Sequence, residues 1–542
     1  YVTNEKSSTI TVLENKTYKV TRSFKTCKRP RGVHFSKDRK QFYVGCADDN
    51  VIVVYETATG KLVKRIRGIE EPETFDLSPD GKTLYVSNEE DATASFVDVE
   101  SGKVFSEVEI GEEDPTVTTV GAPVEIPSPN WQSGLSDYLY DQEVLHTFEL
   151  TISDEAFADI NSDPSEEQYV EGSLTFEGET ISPVGIRYKG SVGAWVGCVA
   201  GGTLFEPDGA KTCTKLSMKV KINWEDSSRT FWGVKKLQFH SMNLDPTQMN
   251  ERLGYWLFRK MGVPAPRATH ARLLINGNYV GLYAFVEQID GRFVDRVFED
   301  GDGNVYKEVW PLNHQGSARK RSEFRDALKT NEEDEVTVDH ILTFSKELAA
   351  AQKSELPQIV AKWMDVDEII RWAVVDRAIR NDDGPLHWYC FDGCNNHNFY
   401  WYEEPTTGRL HLIPWDLDSA FANIVSDANP VTPIADKWGE ITNDCRPFPY
   451  GQWNIPQWSA TCDPLIGTWT TFVDEREAVW AAFLEGPFSA ESTESILKQW
   501  AGQIHDATSE AAATHQDALE LEKWKAALSK LGSSLDFARA NG

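Results

Sequence analysis

The chain has 542 residues, 40% of them hydrophobic and 11% aromatic, which is enough for several domains with substantial cores. Its formal net charge of −31 at pH 7 disfavours nucleic acid and anionic membrane surfaces as main partners, because both are negatively charged. The sequence contains no apolar run long enough to predict a membrane span, and no signal peptide is visible in it.

The first 115 residues contain a repeat. YVTN, YVGC and YVSN begin at Tyr1, Tyr43 and Tyr85, and both intervals are 42 residues (43 − 1 and 85 − 43). Each unit alternates apolar and polar residues over short runs separated by turn sequences, which predicts antiparallel strands. The pattern resembles the YVTN-type β-propeller repeat, and propeller blades have periods of about 40 to 50 residues. We therefore predict about two and a half blades over residues 1–115.

The borders of this repeat lead to two further expectations. Because the chain begins inside a strand motif and lacks an initiator Met, we expect earlier blades upstream. The alternative is a small open sheet packed on the next domain. Residues 116–140 are rich in Pro, Ser and Thr without clear periodicity, which predicts a linker.

Eight cysteines fall into four close couples, and this pattern favours disulfides in an oxidising, extracytoplasmic compartment. The couples are Cys27 and Cys46, Cys198 and Cys213, Cys390 and Cys394, and Cys445 and Cys462. One couple has an alternative, because HWYCFDGCNNH also contains His387 and His397, and His and Cys are zinc ligands. We favour a short disulfide there, since structural zinc sites usually separate their ligand pairs by a longer loop.

From about residue 141 the pattern is first strand-like and then helical. DPTQMNERLGYWLFRKMGVPAP predicts a helix that Asp245 caps and Gly262 ends. Asn276-Gly277 predicts a hairpin turn, because both residues tolerate positive φ. The layout predicts a β-rich lobe over about 141–310 and an α-rich lobe over about 311–542, with acidic loops near the join.

Oxygen-bearing side chains cluster in those acidic loops. Asp382 and Asp383 follow a predicted helix, Asp416 and Asp418 lie in PWDLD, and Asn398 falls between them. Oxygen ligands of this kind suit Mg²⁺ or Mn²⁺, and phosphoryl transfer uses such a set to hold metal and orient a hydroxyl. Spacing alone leaves solvated surface loops as the ordinary alternative.

Six segments of the second half occur in an order that resembles the spore-coat protein H (CotH) kinase family over about residues 141–540. They are VGIRYKGS, TKLSMKVKI, the block from FWGVKKLQFHSMN to LYAFVEQID, GDGNVYK, HNFYWY and LIPWDLDSAFAN. The resemblance implies an atypical protein kinase-like fold that transfers phosphate from ATP to Ser or other hydroxyl groups of extracytoplasmic or spore-surface proteins. The predicted fold class is therefore multidomain, with all-β partial propeller blades followed by an α+β kinase-like domain over residues 141–542.

The resemblance also implies roles for single residues in catalysis and metal binding. Asp383 resembles the catalytic-loop Asp, which orients the substrate hydroxyl and accepts its proton. Asn398 and Asp416 resemble the ligands of Mg²⁺ or Mn²⁺, and Asp418 assists them. His240 is predicted to be a structural histidine.

Further roles concern the nucleotide. Lys215 resembles the lysine that contacts phosphate, and Glu251 resembles its partner on a helix. Glu287 of AFVEQID lies in the predicted hinge, beside the adenine. Other basic residues compete with Lys215 for phosphate contact, namely Arg187, Lys189 and Lys307.

Two functions from different classes remain open at this point. The first is an exported, Mg²⁺- or Mn²⁺-dependent ATP kinase that acts on a Ser/Thr-containing protein, with a propeller that binds another surface protein. The second is a non-catalytic surface protein that serves adhesion, and a weaker third option is transfer of AMP. Ordinary kinase signatures are missing, and Asp383 and Asn398 are 15 residues apart (398 − 383). The joint presence of Asp383, Asn398 and Asp416 nevertheless favours the kinase.

Overall fold

The chain forms two compact units in a computed structural model, Tyr1–Thr119 and Val120–Gly542. The structure describes residues 1–14, 19–69, 72–78, 81–88, 93–109, 126, 131–191, 193–203, 206–333, 336–381, 383–391, 393–421, 441, 443–450 and 455–541. The end of the repeat near Pro115, most of the predicted linker and Asp382 lie outside these residues.

The first unit consists of three antiparallel sheets whose strands follow one another in chain order. The first sheet contains β1 (Val2–Asn4), β2 (Thr9–Leu13) and β3 (Val20–Lys25); the second contains β4 (Pro30–Phe35), β5 (Gln41–Cys46), β6 (Val51–Glu56) and β7 (Leu62–Arg67); the third contains β8 (Pro72–Leu77), β9 (Thr83–Asn88), β10 (Thr93–Asp98) and β11 (Val104–Glu109). The strands β4 and β8 begin at equivalent prolines of the repeat, so each repeat corresponds to one propeller-like sheet. The all-β prediction for this region is confirmed.

The second unit begins with a closed barrel of seven strands. In chain order its elements are β12 (His146–Ile152), α1 (Asp154–Ser162), β13 (Val170–Phe176), β14 (Glu179–Tyr188), the hairpin β15 (Val199–Gly202) and β16 (Pro207–Lys211), β17 (Met218–Lys221), β18 (Lys236–His240), α2 (Asn250–Lys260), β19 (Ala268–Ile275) and β20 (Asn278–Val286). The barrel order is β12-β13-β14-β17-β18-β20-β19, and parallel pairing of β12 with β19 closes it. Asn276 and Gly277 turn the β19–β20 hairpin with φ of 50° and 77°, as the sequence predicted.

Strand alternation separates an apolar interior of the barrel from a polar outer face. Tyr188, Met218 and Phe239 belong to the core inside the barrel. Their neighbours along the strands therefore point outward, and on β14, β17 and β18 these neighbours are rich in basic side chains. The outward set includes Arg187, Lys189, Lys219, Lys236 and His240.

The remaining residues form the α-rich part of the second unit. Its elements are α3 (Gly291–Val297), β21 (Asn304–Lys307), α4 (Arg321–Asp326), α5 (Asp339–Ala350), α6 (Leu356–Trp363), α7 (Val366–Ala378), β22 (Trp388–Cys390), β23 (Cys394–Asn395), β24 (Phe399–Glu403), β25 (Leu410–Pro414), β26 (Phe448–Tyr450), β27 (Ile455–Trp458), α8 (Pro464–Trp469), α9 (Val473–Glu485), α10 (Ala490–Thr514) and α11 (Leu521–Asn541). Two small sheets, β21-β24-β25 and β23-β22-β27-β26, adjoin the loops that contain Asp383, Asn398 and Asp416. Within the described part of the chain, no helix combines the length and apolar character needed to cross a bilayer.

The helix α2 starts later than the sequence predicted. It begins at Asn250 because Gln248 has a φ of 60°, which a right-handed helix does not accommodate. Asp245 still accepts a hydrogen bond from the Asn250 N–H at 2.9 Å, so it satisfies a free donor of the first turn from outside the helix. Past the last helical residue, Gly262 has the predicted left-handed conformation, with a φ of 70°.

Part of the segment predicted to be a linker is structured. Leu135–Tyr140 form a 3-10 helix in which Leu139 and Tyr140 are buried. The Tyr140 ring stacks on Phe285 at 4.9 Å, so this stretch packs on the barrel strand β20. Its apolar residues are too few and too close together to show periodicity in the sequence.

All four cysteine couples are disulfides. Cys390 and Cys394 are directly paired residues of the hairpin formed by β22 and β23, and the bond between them contradicts the zinc alternative. Disulfides of this number are typical of proteins from oxidising compartments.

Candidate active site

The loop after β25 brings two carboxylates beside the helix α2. Asp416 has a left-handed φ of 53°, and its N–H donates to the hydroxyl of the buried Tyr255 at 2.9 Å. The Asn250 side chain donates to the Asp418 carbonyl at 2.7 Å. Both contacts are made by residues of α2, so the helix that carries Glu251 also fixes the position of the acidic loop.

Gly254 lets this loop approach α2 closely. A Cβ atom at Gly254 would lie 2.8 Å from Leu417 Cδ1, which is closer than packed carbon atoms approach. A larger residue would push away the segment that holds Asp416 and Asp418. The glycine therefore serves close packing at this contact.

Asp383 and Asn398 meet although 15 residues separate them. The carboxylate of Asp383 accepts hydrogen bonds from His397 Nε2 at 2.7 Å and from Asn398 Nδ2 at 3.0 Å. The same Asn398 Nδ2 lies 2.9 Å from the Asp383 carbonyl oxygen. Because the amide nitrogen donates to Asp383, the Asn398 Oδ1 atom is the side-chain atom that can accept a hydrogen bond or bind a cation.

The intervening residues form the disulfide-linked hairpin β22–β23 and its flanks. The Tyr389 ring stacks between His387, at 4.9 Å, and His397, at 5.2 Å. Burial raises the pKa of Asp383, but the charge and hydrogen bond of His397, with the charge of His387 and a hydrogen bond from Tyr389, outweigh burial and hold that pKa below its ordinary value. Asp383 is therefore ionised at neutral pH, as a group that accepts a proton must be.

A chain of three side chains links the barrel to α2. Lys189 continues the ladder of β14, and its Nζ lies 2.7 Å from His240 Nε2. The other ring nitrogen, Nδ1, lies 2.7 Å from Oε1 of Glu251 and 2.9 Å from its Oε2. The Trp415 ring lies 5.4 Å from the Lys189 ammonium and 5.7 Å from the imidazole ring, so it borders the chain beside Asp416.

Burial and mutual charge govern the protonation of these groups. Burial lowers the pKa of Lys189, while the charges of Asp416 and Glu251 act in the opposite direction. Burial raises the pKa of Glu251, and the charge of Asp416 raises it further. Burial also raises the pKa of Asp418, reinforced by the charges of Asp416 and Glu251. Carboxylates that destabilise one another in this way are stabilised by a nearby cation.

The donor set fits a hard divalent cation. The ligand atoms of His240, Glu251 and Asp416 all lie within 4.8 Å of one another. The Lys189 ammonium faces His240 Nε2, however, and its positive charge opposes a metal ion at that nitrogen. Asp416, with Asp418 and the amide oxygen of Asn398, offers the oxygen ligands that Mg²⁺ or Mn²⁺ prefers.

Lys215 is not part of this cluster. Its Nζ donates to the Leu282 carbonyl at 2.9 Å and lies 5.4 Å from the Tyr283 ring. Among the basic residues that the sequence proposed for phosphate contact, Lys189 takes the place beside Glu251 and Asp416. The charge of Lys307 helps to lower the pKa of Lys189, and the Lys307 ammonium pairs with Glu308 at 3.5 Å.

Two other predicted residues make structural contacts. Arg187 is ion-paired with Glu167 and lies over the Tyr169 ring at 5.1 Å. Glu287 accepts hydrogen bonds from Arg267 and from Arg296, each at 2.7 Å.

The two arginines hold the Glu287 carboxylate in its charged form. Burial raises the pKa of Glu287, but Arg296 and Arg267 outweigh burial and lower it to about 2. The Glu287 N–H donates to the Arg267 carbonyl at 2.9 Å. Through these contacts Glu287 connects the end of β20 to Arg267 and to Arg296 of α3.

Sequence reasoning missed the part played by two histidines. His240 was predicted to be structural, yet it joins Lys189 to Glu251, and alternation along VKKLQFH places it on the polar face of β18. His397 was weighed only as a zinc ligand, yet it bonds to Asp383. Its position next to Asn398 in HNFYWY was the available signal.

Comparisons with known proteins match both units. The model of the family described as CotH kinase protein matches residues 186–537, and the model described as Lactonase, 7-bladed beta-propeller matches residues 1–117. The inner spore coat protein H of Bacillus subtilis is 26% identical over 201 residues, which cover 36% of this chain and 52% of that protein. The invasin CotH7 of Rhizopus delemar is 25% identical over 209 residues, which cover 36% of this chain and 33% of that protein.

A second Bacillus subtilis relative, the inner spore coat protein H-like protein, is 24% identical over 291 residues, covering 52% of this chain and 80% of that protein. The chain spans about half, or less, of the length of the two relatives described before it. Identities of this size indicate shared ancestry. They do not establish a shared activity, which depends on the site residues of each protein.

Proposed function

The chain belongs to the CotH kinase protein family, and from this premise we propose that it is an exported, metal-dependent protein kinase. It transfers the γ-phosphate of ATP to hydroxyl side chains of a surface or extracytoplasmic protein. The observation that supports the proposal most directly is that Asn398 bonds to both Asp383 and the backbone beside Asp416, while the charge of Asp416 acts on the Lys189 ammonium. An adhesive surface alone requires no such opposition of carboxylates and lysine.

Asp383 is the proton acceptor in this proposal. Its carboxylate orients the Ser or Thr hydroxyl and takes the proton as the hydroxyl oxygen bonds to the γ-phosphorus. The bond between that phosphorus and the oxygen bridging to the β-phosphate breaks at the same time, and ADP leaves. His397 holds Asp383 through the bond of 2.7 Å and keeps the carboxylate turned toward the site.

Asn398, Asp416 and Asp418 hold Mg²⁺ or Mn²⁺ in this proposal. The bound cation supplies positive charge that neutralises the β- and γ-phosphates. Lys189 and Lys307 contact the phosphates from the barrel side and from β21. Lys215, fixed on the Leu282 carbonyl, does not contact the nucleotide.

The disulfides support the localisation part of the proposal, because such bonds persist outside reducing compartments. The substrate is a Ser/Thr-containing protein of the same compartment. The propeller-like sheets of the first unit bind another surface protein and thereby select where the kinase acts.

A second function, adhesion without catalysis, is favoured by one observation. A relative that matches 36% of this chain carries the name invasin. Both functions are compatible with the fold, because a fold hosts several activities and the site decides among them.

Label transfer from ATP tests the proposal. The full chain is incubated with Mn²⁺ or Mg²⁺, a Ser-rich carrier protein, and ATP labelled at the γ or, separately, the α position. We expect label from the γ position only, reduced roughly 100-fold or more by Asp416→Ala, since the metal supplies several kcal/mol of charge stabilisation.

The control variant is Asp506→Ala, which removes an exposed carboxylate of α10 and should leave transfer unchanged. Label from the α position would instead mean nucleotide transfer on the same scaffold. No transfer from either position, with no metal-dependent ATP binding, would leave adhesion as the function.

A further inference from the structure

We propose that His240 is a positioning residue that holds the Lys189 ammonium in place and connects it to Glu251. In protein kinases a lysine and a helix glutamate usually form a direct ion pair. Here the imidazole ring stands between the two charges, so the unit is Lys189–His240–Glu251. This inference rests on the proposed function, because the purpose of the unit is to aim Lys189 at phosphate.

The geometry uses both nitrogens of the ring. Nε2 lies 2.7 Å from Lys189 Nζ, and Nδ1 lies 2.7 Å from Glu251 Oε1. His240 is the last residue of β18, where it pairs with Ala284 of β20. The ring is buried and Trp415 packs against it at 5.7 Å. A side chain held at three points has little freedom to move, so it transmits the position of α2 to the lysine.

The hydrogen bonds can run in only one direction when Lys189 carries its charge. An ammonium group has three donors and no acceptor, so Nε2 must accept from Lys189. Nδ1 then carries the proton and donates to a side-chain oxygen of Glu251. Burial, with the charge of Lys189, lowers the pKa of His240 well below its ordinary value, which keeps the ring in this neutral form. Two N–H donors of Lys189 remain for phosphate oxygens.

The barrel explains why a spacer is needed. Lys189 extends β14, whereas His240 ends β18, and β17 lies between these strands. Glu251 reaches the site from α2, which follows β18. The imidazole ring of His240 therefore spans the gap between Lys189, at the end of β14, and Glu251, on the helix that follows β18. Because the ring is planar and rigid, it fixes that distance better than a flexible chain would.

A double-mutant cycle tests whether His240 acts through Lys189. Transfer from γ-labelled ATP and ATP affinity in the presence of Mn²⁺ are measured for the full chain, for His240→Ala, for Lys189→Met and for the double variant. We expect His240→Ala to lower kcat/KM for ATP about 30-fold, and Lys189→Met to lower it more. The double variant should have the same kcat/KM as Lys189→Met, because the effects of mutating residues that act as one unit are not additive.

Two further variants separate positioning from a merely structural role. His240→Gln should retain transfer within about fivefold, because its amide can accept from Lys189 and donate to Glu251. His270→Ala removes another buried histidine, which is hydrogen-bonded to Arg252 and to the Gln248 carbonyl. It should lower the melting temperature, and its effect on kcat/KM should be additive with that of Lys189→Met. Free imidazole added to His240→Ala should restore part of the lost kcat/KM. If His240→Ala does not fold, the cycle is run with His240→Leu.

The outcomes distinguish this inference from the proposed function. Additive losses, or a His240→Ala protein as active as the wild type, would overturn the inference while the kinase proposal stands. Mn²⁺ binding without nucleotide that disappears in His240→Gln would place a cation on the ring and also overturn it. A wild-type chain that neither binds ATP nor transfers label would overturn the proposed function, and the inference with it.

Discussion

Two lysines that look alike in the sequence have different surroundings. Lys189 faces His240 and the charge of Asp416, while Lys215 donates to the Leu282 carbonyl. Lys189→Met and Lys215→Met therefore form a matched pair. We expect Lys189→Met to lower γ-phosphate transfer about 100-fold, because charge stabilisation of the phosphates is lost.

Lys215→Met should keep transfer within about twofold of the wild type. It loses one hydrogen bond, which contributes about 1 kcal/mol to the free energy of unfolding. Transfer kinetics and urea unfolding of both variants check the pair. The reverse pattern, with the loss of activity in Lys215→Met, would restore Lys215 as the phosphate contact.

His411 makes the stability of the second unit depend on pH. Its Nδ1 lies 2.8 Å from Glu368 Oε1, and its Nε2 lies 3.6 Å from Glu404 Oε2. Burial lowers the pKa of His411, but the charge and hydrogen bond of Glu368, with those of Glu404, outweigh burial and raise it to about 10. An unfolded histidine has a pKa of about 6.5.

Because the folded pKa is the higher one, the stabilisation is fully present below about pH 6.5 and is lost as the pH rises through about 10. We expect the wild type to be more stable than His411→Gln at pH 6.5, and the difference to shrink steadily up to pH 9.5. Urea unfolding at four pH values measures it. A difference that stays constant, or grows with pH, would contradict the ion-paired state of His411.

At the scale of elements, the hairpin β22–β23 lies between Asp383 and Asn398, which we propose as the proton acceptor and a metal ligand. It places Tyr389 between His387 and His397 and in contact with Asp383. The Cys390–Cys394 bond closes a loop with a sequence separation of only 4 residues. Its effect on the entropy of the unfolded chain is therefore modest, and we expect its larger effect to be on the geometry of Asp383.

We expect replacement of both Cys390 and Cys394 by Ser to lower kcat about tenfold, at a cost of roughly 2 kcal/mol in stability. The control replaces Cys445 and Cys462, whose separation is 17 residues. That change should cost more stability, roughly 3 kcal/mol, and leave kcat nearly unchanged at a temperature where both variants are folded. If the two double replacements lowered kcat equally, the Cys390–Cys394 disulfide would have no specific effect on the site.

At the scale of the whole molecule, the net charge of −31 opposes compactness through self-repulsion. Raising NaCl from about 0.01 M to about 0.15 M shortens the Debye length from about 30 Å to about 8 Å. We expect the melting temperature at pH 7.5 to rise over this range. Near the sequence pI of about 4.8 the net charge is small, so the same salt step should have much less effect. A fall at pH 7.5 would show that salt weakens attractive pairs more than it screens repulsion.

The sequence by itself determined the features that depend on neighbours along the chain. The interval of 42 residues predicted the sheets of the first unit, and Asn276-Gly277 predicted a hairpin turn. The close cysteine couples became four disulfides. Turn chemistry, strand alternation and short loop closure are local, so a linear pattern records them.

Only the tertiary structure decided which basic group faces the carboxylates. Lys189 and Lys215 both adjoin barrel strands with similar alternation, and closure of the barrel turns one toward Asp416 and the other toward the Leu282 carbonyl. Glu287 is enclosed by Arg267 and Arg296, which lie 20 residues before it and 9 residues after it. His240 gains its role from a strand and a helix that meet only in the fold. Contacts between distant segments set the charge and burial of each group, and no short stretch of sequence contains them.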